Sequence, residues 1–109
     1  MKYVKITKVM KEQAEKDLKT AYGENLCSLL IGISEIEDWK WAQDIYLKYL
    51  NDRDQWVATA AITGLGHLAR ISKNLEKEKV IGALEELSKN NPKLKGKIRD
   101  AISDINIFL

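Results

Sequence analysis

The sequence has few of the residues that build disulfide frameworks, zinc sites or membrane spans. Its 109 residues include one cysteine, one proline and one histidine. Cys27 has no second cysteine to pair with, and Cys27 and His67 together do not make up the ligand set of a zinc site. No uncharged apolar run has the length of a membrane span, and the N-terminal residues lack the apolar core of a signal peptide. These absences predict a cytoplasmic protein that holds no metal or cofactor.

The charges are nearly balanced overall but unevenly distributed along the chain. The net charge is +2. Residues 1–22 contain six bases and three acids, residues 23–55 contain three bases and seven acids, and residues 56–109 contain nine bases and six acids. The middle is therefore acidic and both ends are basic. The low net charge, and the lack of aromatic residues among the lysine runs, argue against nucleic acid as the partner.

Apolar residues recur at helical spacing along almost the whole sequence, whereas the alternation typical of strands is scarce. The pattern predicts an all-α domain over residues 1–109. Six helices are expected to form three antiparallel pairs, at about residues 7–36, 38–71 and 76–107. Thr7, Asp38 and Asp54 are predicted N-caps, and Gly23 is predicted to close the first helix in a left-handed conformation.

The helices repeat at a spacing close to 40 residues. A shift of 41 places Val57 on Ile98 and Ala60 on Ala101, and a shift of −31 places Val57 on Leu26. A helix pair of about this length is the size of a HEAT or armadillo repeat. The fourth helix also resembles the second helix of a HEAT repeat, with Asp52 or Asp54, Val57, Ala60–Ala61 and Leu65 in the family's order. Ala58 departs from the pattern, because the family usually has arginine there. The resemblance implies a short α-solenoid that binds macromolecules, and it implies no chemistry.

The fourth predicted helix, "QWVATAAITGLGHLARIS", is apolar around most of its circumference. A helix of this kind is expected to pack on both flanks, which places it in the middle of the stack. One narrow polar edge remains, formed by Trp56, Thr59, Thr63, His67 and Arg70. In a solenoid the second helices line the concave surface, so we expect this edge to face a partner. The repeat shifts assign matching positions on the flanking helices: Asn25, Ser28 and Gly32 before it, and Lys97, Asp100 and Asp104 after it.

Aromatic and acidic residues concentrate around the turns on either side of the third helix. Capping explains part of the acidic set, and the remainder is expected to form a negative patch that attracts a basic partner. The predicted partner-binding residues are Trp56, Thr59, Thr63, His67, Arg70, Asp52, Asp54, Glu37, Asp38, Trp39, Lys97, Asp100 and Asp104.

These features predict a monomeric, non-catalytic protein-binding module. Its small size and its acidic, aromatic middle resemble the small immunity proteins that neutralise bacterial toxins, which often cover a basic nuclease domain with an acidic face. That resemblance implies a cognate toxin as the partner. One alternative is a regulatory adaptor or a subunit of a larger assembly. A more remote alternative is a HEAT-like lyase or DNA glycosylase that uses His67 and nearby carboxylates.

Overall fold

The structure of the protein is a computed structural model that describes residues 8–109, with side chains described from residue 11 onward. The predicted N-cap Thr7 lies outside the described residues. The helices are α1 (Lys8–Leu18), α2 (Gly23–Gly32), α3 (Trp39–Tyr49), α4 (Gln55–Ser72), α5 (Lys77–Asn90) and α6 (Lys95–Phe108). Single 3₁₀ turns follow α2 at Ile33–Glu35 and precede α6 at Pro92–Leu94. Residues 8–109 contain no strand, so the predicted all-α class is confirmed.

Two of the predicted N-caps are confirmed. Asp38 accepts a hydrogen bond from the Trp41 amide at 3.1 Å and so begins α3. Asp54 accepts one from the Trp56 amide at 2.9 Å and so begins α4. Each carboxylate satisfies an amide that the first helical turn leaves without a partner.

The end of the first helix differs from the prediction. α1 stops at Leu18, because the amides of Lys19 and Thr20 bond back three residues rather than four and tighten the last turn. Gly23 has the expected left-handed conformation, with φ +56°. It nevertheless begins α2 and does not close α1.

α4 is the central helix of the domain. It packs against α2 on one side and α6 on the other, with α3 against a third side. Ten of its eighteen residues are buried. The other helices contact their partners in the pairs α1–α2, α3–α4 and α5–α6. The prediction that the fourth helix is packed on both flanks is therefore correct.

Close packing around the middle of α4 depends on a glycine. The ring of Tyr46, on α3, occupies the space that a side chain at Gly64 would need. The Tyr46 side chain is fully buried, and its hydroxyl donates a hydrogen bond to the Leu30 carbonyl oxygen on α2. One side chain thus joins three helices, and burial raises the pKa of its phenol.

A second polar contact fixes the loop between α4 and α5 to α3. The buried Gln43 amide donates from Nε2 to Glu76 Oε1 at 2.7 Å, and its Oε1 accepts from the Glu76 backbone amide at 2.8 Å. The Lys40 ammonium lies 2.9 Å from the same carboxylate oxygen. The hydrogen bonds from Lys40 and Gln43 lower the pKa of Glu76 to about 2. The turn is therefore held by a buried amide and a partly exposed ion pair.

Gly64→Ala is expected to destabilise the protein by about 1–3 kcal/mol, because the added methyl group overlaps the Tyr46 ring in a close-packed interior. Gly82→Ala is the matched control. Nothing lies within 4 Å of a Cβ at Gly82, which is in the interior of α5. The control is expected to gain roughly 0.5–1 kcal/mol from helix propensity. Urea denaturation measures both, and equal effects at the two sites would contradict the packing described.

Glu76 is expected to make stability depend on pH in the acid range. Its pKa falls from 4.5 to about 2 on folding, so the folded state favours the charged carboxylate. That stabilisation is complete above about pH 4.5 and is lost as the pH falls toward 2. The difference in urea midpoint between wild type and Glu76→Gln should be constant from neutral pH to about pH 5 and then shrink. A difference at about pH 3 that is as large as the difference at neutral pH would show that the carboxylate charge is not responsible.

Candidate functional site

The predicted edge of α4 is the side of the helix that reaches solvent. Trp56 and Arg70 are exposed, and Thr59, Thr63 and His67 are half-buried. The residues between them point into the core. The matching positions on the flanking helices also reach the surface: Asn25, Ser28, Gly32, Lys97 and Asp100 are exposed, and Asp104 is half-buried. The three second helices therefore present their predicted positions to solvent.

Asp104 has a packing role that the repeat did not predict. The shift of 41 pairs it with Thr63, whereas one of its carboxylate oxygens lies 3.1 Å from the position that a Cβ at Gly66 would take. The Ala101 Cα is 3.6 Å from the same point. Because Gly66 has no side chain, α6 can approach α4 closely there. The Asp104 carboxylate lies beside the space that a side chain at Gly66 would occupy.

Exposed aromatic rings lie at the N-terminal end of α4 and just before α2. Trp56 is 78% exposed and Tyr22 is 80% exposed. Aromatic side chains ordinarily bury about 150–250 Å² each. Two rings that are mostly exposed to solvent are therefore unusual. Tyr22 was not among the predicted residues. Its position directly before the left-handed Gly23 was the available signal, since a residue at a turn is held at the surface.

Carboxylates lie at the same two helix starts as these rings, with Glu24 in the first turn of α2 and Asp54 at the N-cap of α4. The pKa of the half-buried Cys27 thiol is raised, first by burial and then by the nearby charges of Asp54, Asp52 and Glu24. Glu24 at the start of α2 and Asp54 at the start of α4 therefore lie near the same atom. The two helices begin at the same end of the molecule. We call Tyr22, Glu24, Asp52, Asp54 and Trp56 the acidic-aromatic patch.

The three carboxylates of this patch remain available to a partner. Asp52 Oδ1 accepts from the Asp54 amide at 2.9 Å, and Asp54 Oδ1 caps α4, so each uses one oxygen to hold the turn. None of the ion pairs formed among the side chains of residues 11–109 involves Glu24, Asp52 or Asp54. The patch therefore carries negative charge that forms no ion pair with the side chains described over residues 11–109.

Glu37 and Asp38, the predicted acids before α3, lie at the opposite end of α4 from Trp56. Glu37, Asp38 and Trp39 line a cleft of about 430 Å³ together with Ile71, near the C-terminal end of that helix. Ile71 is fifteen residues after Trp56, which corresponds to about 22 Å along a helix. The two acidic turns that flank α3 therefore lie at opposite ends of α4. The reason is that the two turns lie at opposite ends of α3, which separates Glu37 and Asp38 from Asp52 and Asp54.

Two members of this distant group are already engaged in the fold. The Lys11 ammonium lies 2.6 Å from Asp38 Oδ2, and the hydrogen bond from Lys11, followed by that from the Trp41 amide, lowers the pKa of Asp38. Trp39 is half-buried and packs against the core. Glu37 remains exposed. The structure therefore separates Glu37, Asp38 and Trp39 from Trp56 and gives two of the three a structural role.

In the part of the chain that the structure describes, no cluster of three or more His, Cys, Asp or Glu side chains has the arrangement of a metal site. None of the helices over residues 8–109 combines the length and apolar character needed to cross a bilayer. No protein-family model matches this sequence, and neither a curated protein nor a solved structure matches it. The resemblances to HEAT repeats and to immunity proteins rest on the residue pattern alone.

Trp56→Ala is expected to change the free energy of unfolding by less than about 0.5 kcal/mol, because the side chain is largely outside the packed interior. Asp54→Ala, two residues away, should cost about 1 kcal/mol through loss of the cap of α4. Urea denaturation of both variants measures the contrast. A large loss for Trp56→Ala would place the ring in the core and remove it from the candidate surface.

Proposed function

We propose that this chain is a non-catalytic protein-binding module that acts as an inhibitor, and that it uses the acidic-aromatic patch to bind a basic protein. The observation that carries the proposal is the 78% exposure of Trp56 on a helix that is otherwise buried on three sides. A tryptophan on a rigid element loses little conformational freedom when a partner covers it. Tryptophan, tyrosine and arginine are also the residues most enriched among binding hot spots.

The charges around Trp56 support a basic partner. Glu24, Asp52 and Asp54 form no ion pair with the side chains described over residues 11–109. A lysine or arginine of the partner could therefore pair with these carboxylates without breaking any of the ion pairs described. Complementary charge speeds encounter and excludes partners of the wrong sign. The aromatic rings supply the apolar surface whose burial holds the complex, and the carboxylates supply its selectivity.

The specific form of this proposal is an immunity protein that neutralises a basic bacterial toxin, such as a nuclease, as a cytoplasmic monomer. Three features support it: the small domain, the pre-formed surface on the starts of two helices, and the acidic charge of the patch. A pre-organised surface avoids the cost of ordering on binding, which favours tight stoichiometric inhibition. The remaining edge of α4, from Thr59 to Arg70, is the proposed continuation of the contact.

A photo-crosslinking experiment tests the surface. The residue p-benzoylphenylalanine replaces Trp56 in one variant and Ile107 in the control. Ile107 is 69% exposed on α6, outside the patch. In native cells the Trp56 variant should capture one basic protein that the Ile107 variant does not. Capture of an acidic protein, or identical capture at both positions, would contradict the proposal.

A titration tests the inhibition itself. The captured partner is expressed alone, its toxicity or nuclease activity is measured, and this chain is added. Activity should fall to zero at one equivalent. With Trp56→Ala the apparent Kd should rise by about thirtyfold or more, the effect of losing a hot-spot residue. If the partner has no activity to inhibit, or if inhibition requires a large excess, the immunity assignment is wrong even where binding is real.

A further inference from the structure

A second surface of opposite charge lies between the last two helices. Its walls are Ser88 and Lys89 on α5 and Lys95 and Arg99 on α6, and Ile98 and Ile102 form its floor. The groove has a volume of about 490 Å³, enough for one or two large side chains. Ile98 is buried and Ile102 is half-buried, so the floor is firm and apolar.

The cations at this groove are not neutralised by the fold. None of the ion pairs formed among the side chains of residues 11–109 involves Lys89, Lys95 or Arg99. The groove contains one carboxylate, that of Glu85, against these three cations. Lys95 and Arg99 are also four residues apart on one helix, a like-charge spacing that destabilises the helix in isolation. An anionic ligand would relieve that repulsion.

We propose that this groove binds an acidic protein segment, with an aliphatic or aromatic side chain on the Ile98–Ile102 floor and flanking carboxylates on Lys89, Lys95 and Arg99. The apolar floor favours a peptide over nucleic acid, because a polyanion recognised through its phosphates needs cations but no apolar anchor. Stacking of exposed bases would instead need aromatic side chains, and the groove lining contains none.

This surface is separate from the one that carries the proposed function. The acidic-aromatic patch lies at the starts of α2 and α4 and fits a basic partner, whereas the groove lies between α5 and α6 and fits an acidic one. A chain with both surfaces can hold two partners of opposite charge at once. Such a chain would act as an adaptor as well as an inhibitor. The groove can therefore fail its test while the patch passes, and the reverse also holds.

The probe is a synthetic peptide of about twelve residues, rich in glutamate with one central leucine. Two matched peptides replace the leucine with serine or the glutamates with lysine, and a single-stranded oligonucleotide serves as a polyanion without an apolar anchor. Fluorescence anisotropy measures each Kd. Amide chemical shifts of Ile98, Arg99 and Ile102 locate the contact.

The proteins compared are wild type, Lys95→Glu/Arg99→Glu and the control Lys19→Glu/Lys77→Glu. Both double variants change the net charge equally, and Lys19 and Lys77 are exposed lysines outside the groove. Circular dichroism checks that all three are folded. The leucine peptide should shift the groove amides in wild type, and its Kd should rise about tenfold or more in the groove variant but by less than about twofold in the control.

Further comparisons give the results that would overturn the proposal. The serine and lysine peptides should each bind about tenfold or more weakly than the leucine peptide, because one lacks the anchor and the other the charge. Equal binding of the leucine and serine peptides, or tight binding of the oligonucleotide at the same amides, would identify a general polyanion surface. An equal loss of affinity for the leucine peptide in both double variants would show that net charge, and not the groove, determines binding. An absence of shifts at about millimolar peptide would leave the groove without this function.

Discussion

The architecture depends on two glycines of α4, Gly64 and Gly66, at which neighbouring helices approach the α4 backbone closely. At Gly64 the Tyr46 ring takes the vacant space, and its hydroxyl bonds to the Leu30 carbonyl oxygen, so that α2, α3 and α4 meet at one point. At Gly66 the same absence lets α6 approach, with Ala101 and Asp104 against the backbone. Protein interiors are close-packed, so contacts of this kind determine the positions of whole helices and not only of single side chains.

The surface of the molecule follows from this central packing. Because α2, α3 and α6 cover three sides of α4, only one edge of that helix reaches solvent. Its first turn is exposed most, since the helix begins at an outer turn held by Asp52 and Asp54. An exposed tryptophan at that point costs the fold little, and its ring can be covered by a partner without any rearrangement of the core.

Charge is segregated by the same arrangement. Glu24, Asp52 and Asp54 lie at the starts of α2 and α4, whereas Glu37 and Asp38 lie near Ile71 at the other end of α4, a helix segment of about 22 Å from Trp56 to Ile71. Of the latter, Asp38 is neutralised by Lys11. The bases of the last pair gather around an apolar groove. A chain with a net charge of only +2 thus presents one negative and one positive surface, and electrostatic selectivity depends on such local fields more than on the total charge.

The sequence by itself determined the helical class, the order of the six helices, the caps at Asp38 and Asp54, and the central position of α4. These follow from local spacing, from capping chemistry and from an apolar circumference that only burial on several sides explains. The tertiary structure alone decided which turns are neighbours. Thus Glu24 lies near Asp52 and Asp54. Glu37 and Trp39 lie at the opposite end of α4 from Trp56, and Asp104 lies against Gly66. The physical reason is that spacing along the chain reports which face of a helix a residue occupies, whereas the distance between residues on different helices depends on how closely those helices pack. That closeness is decided here by a tyrosine ring and two glycines.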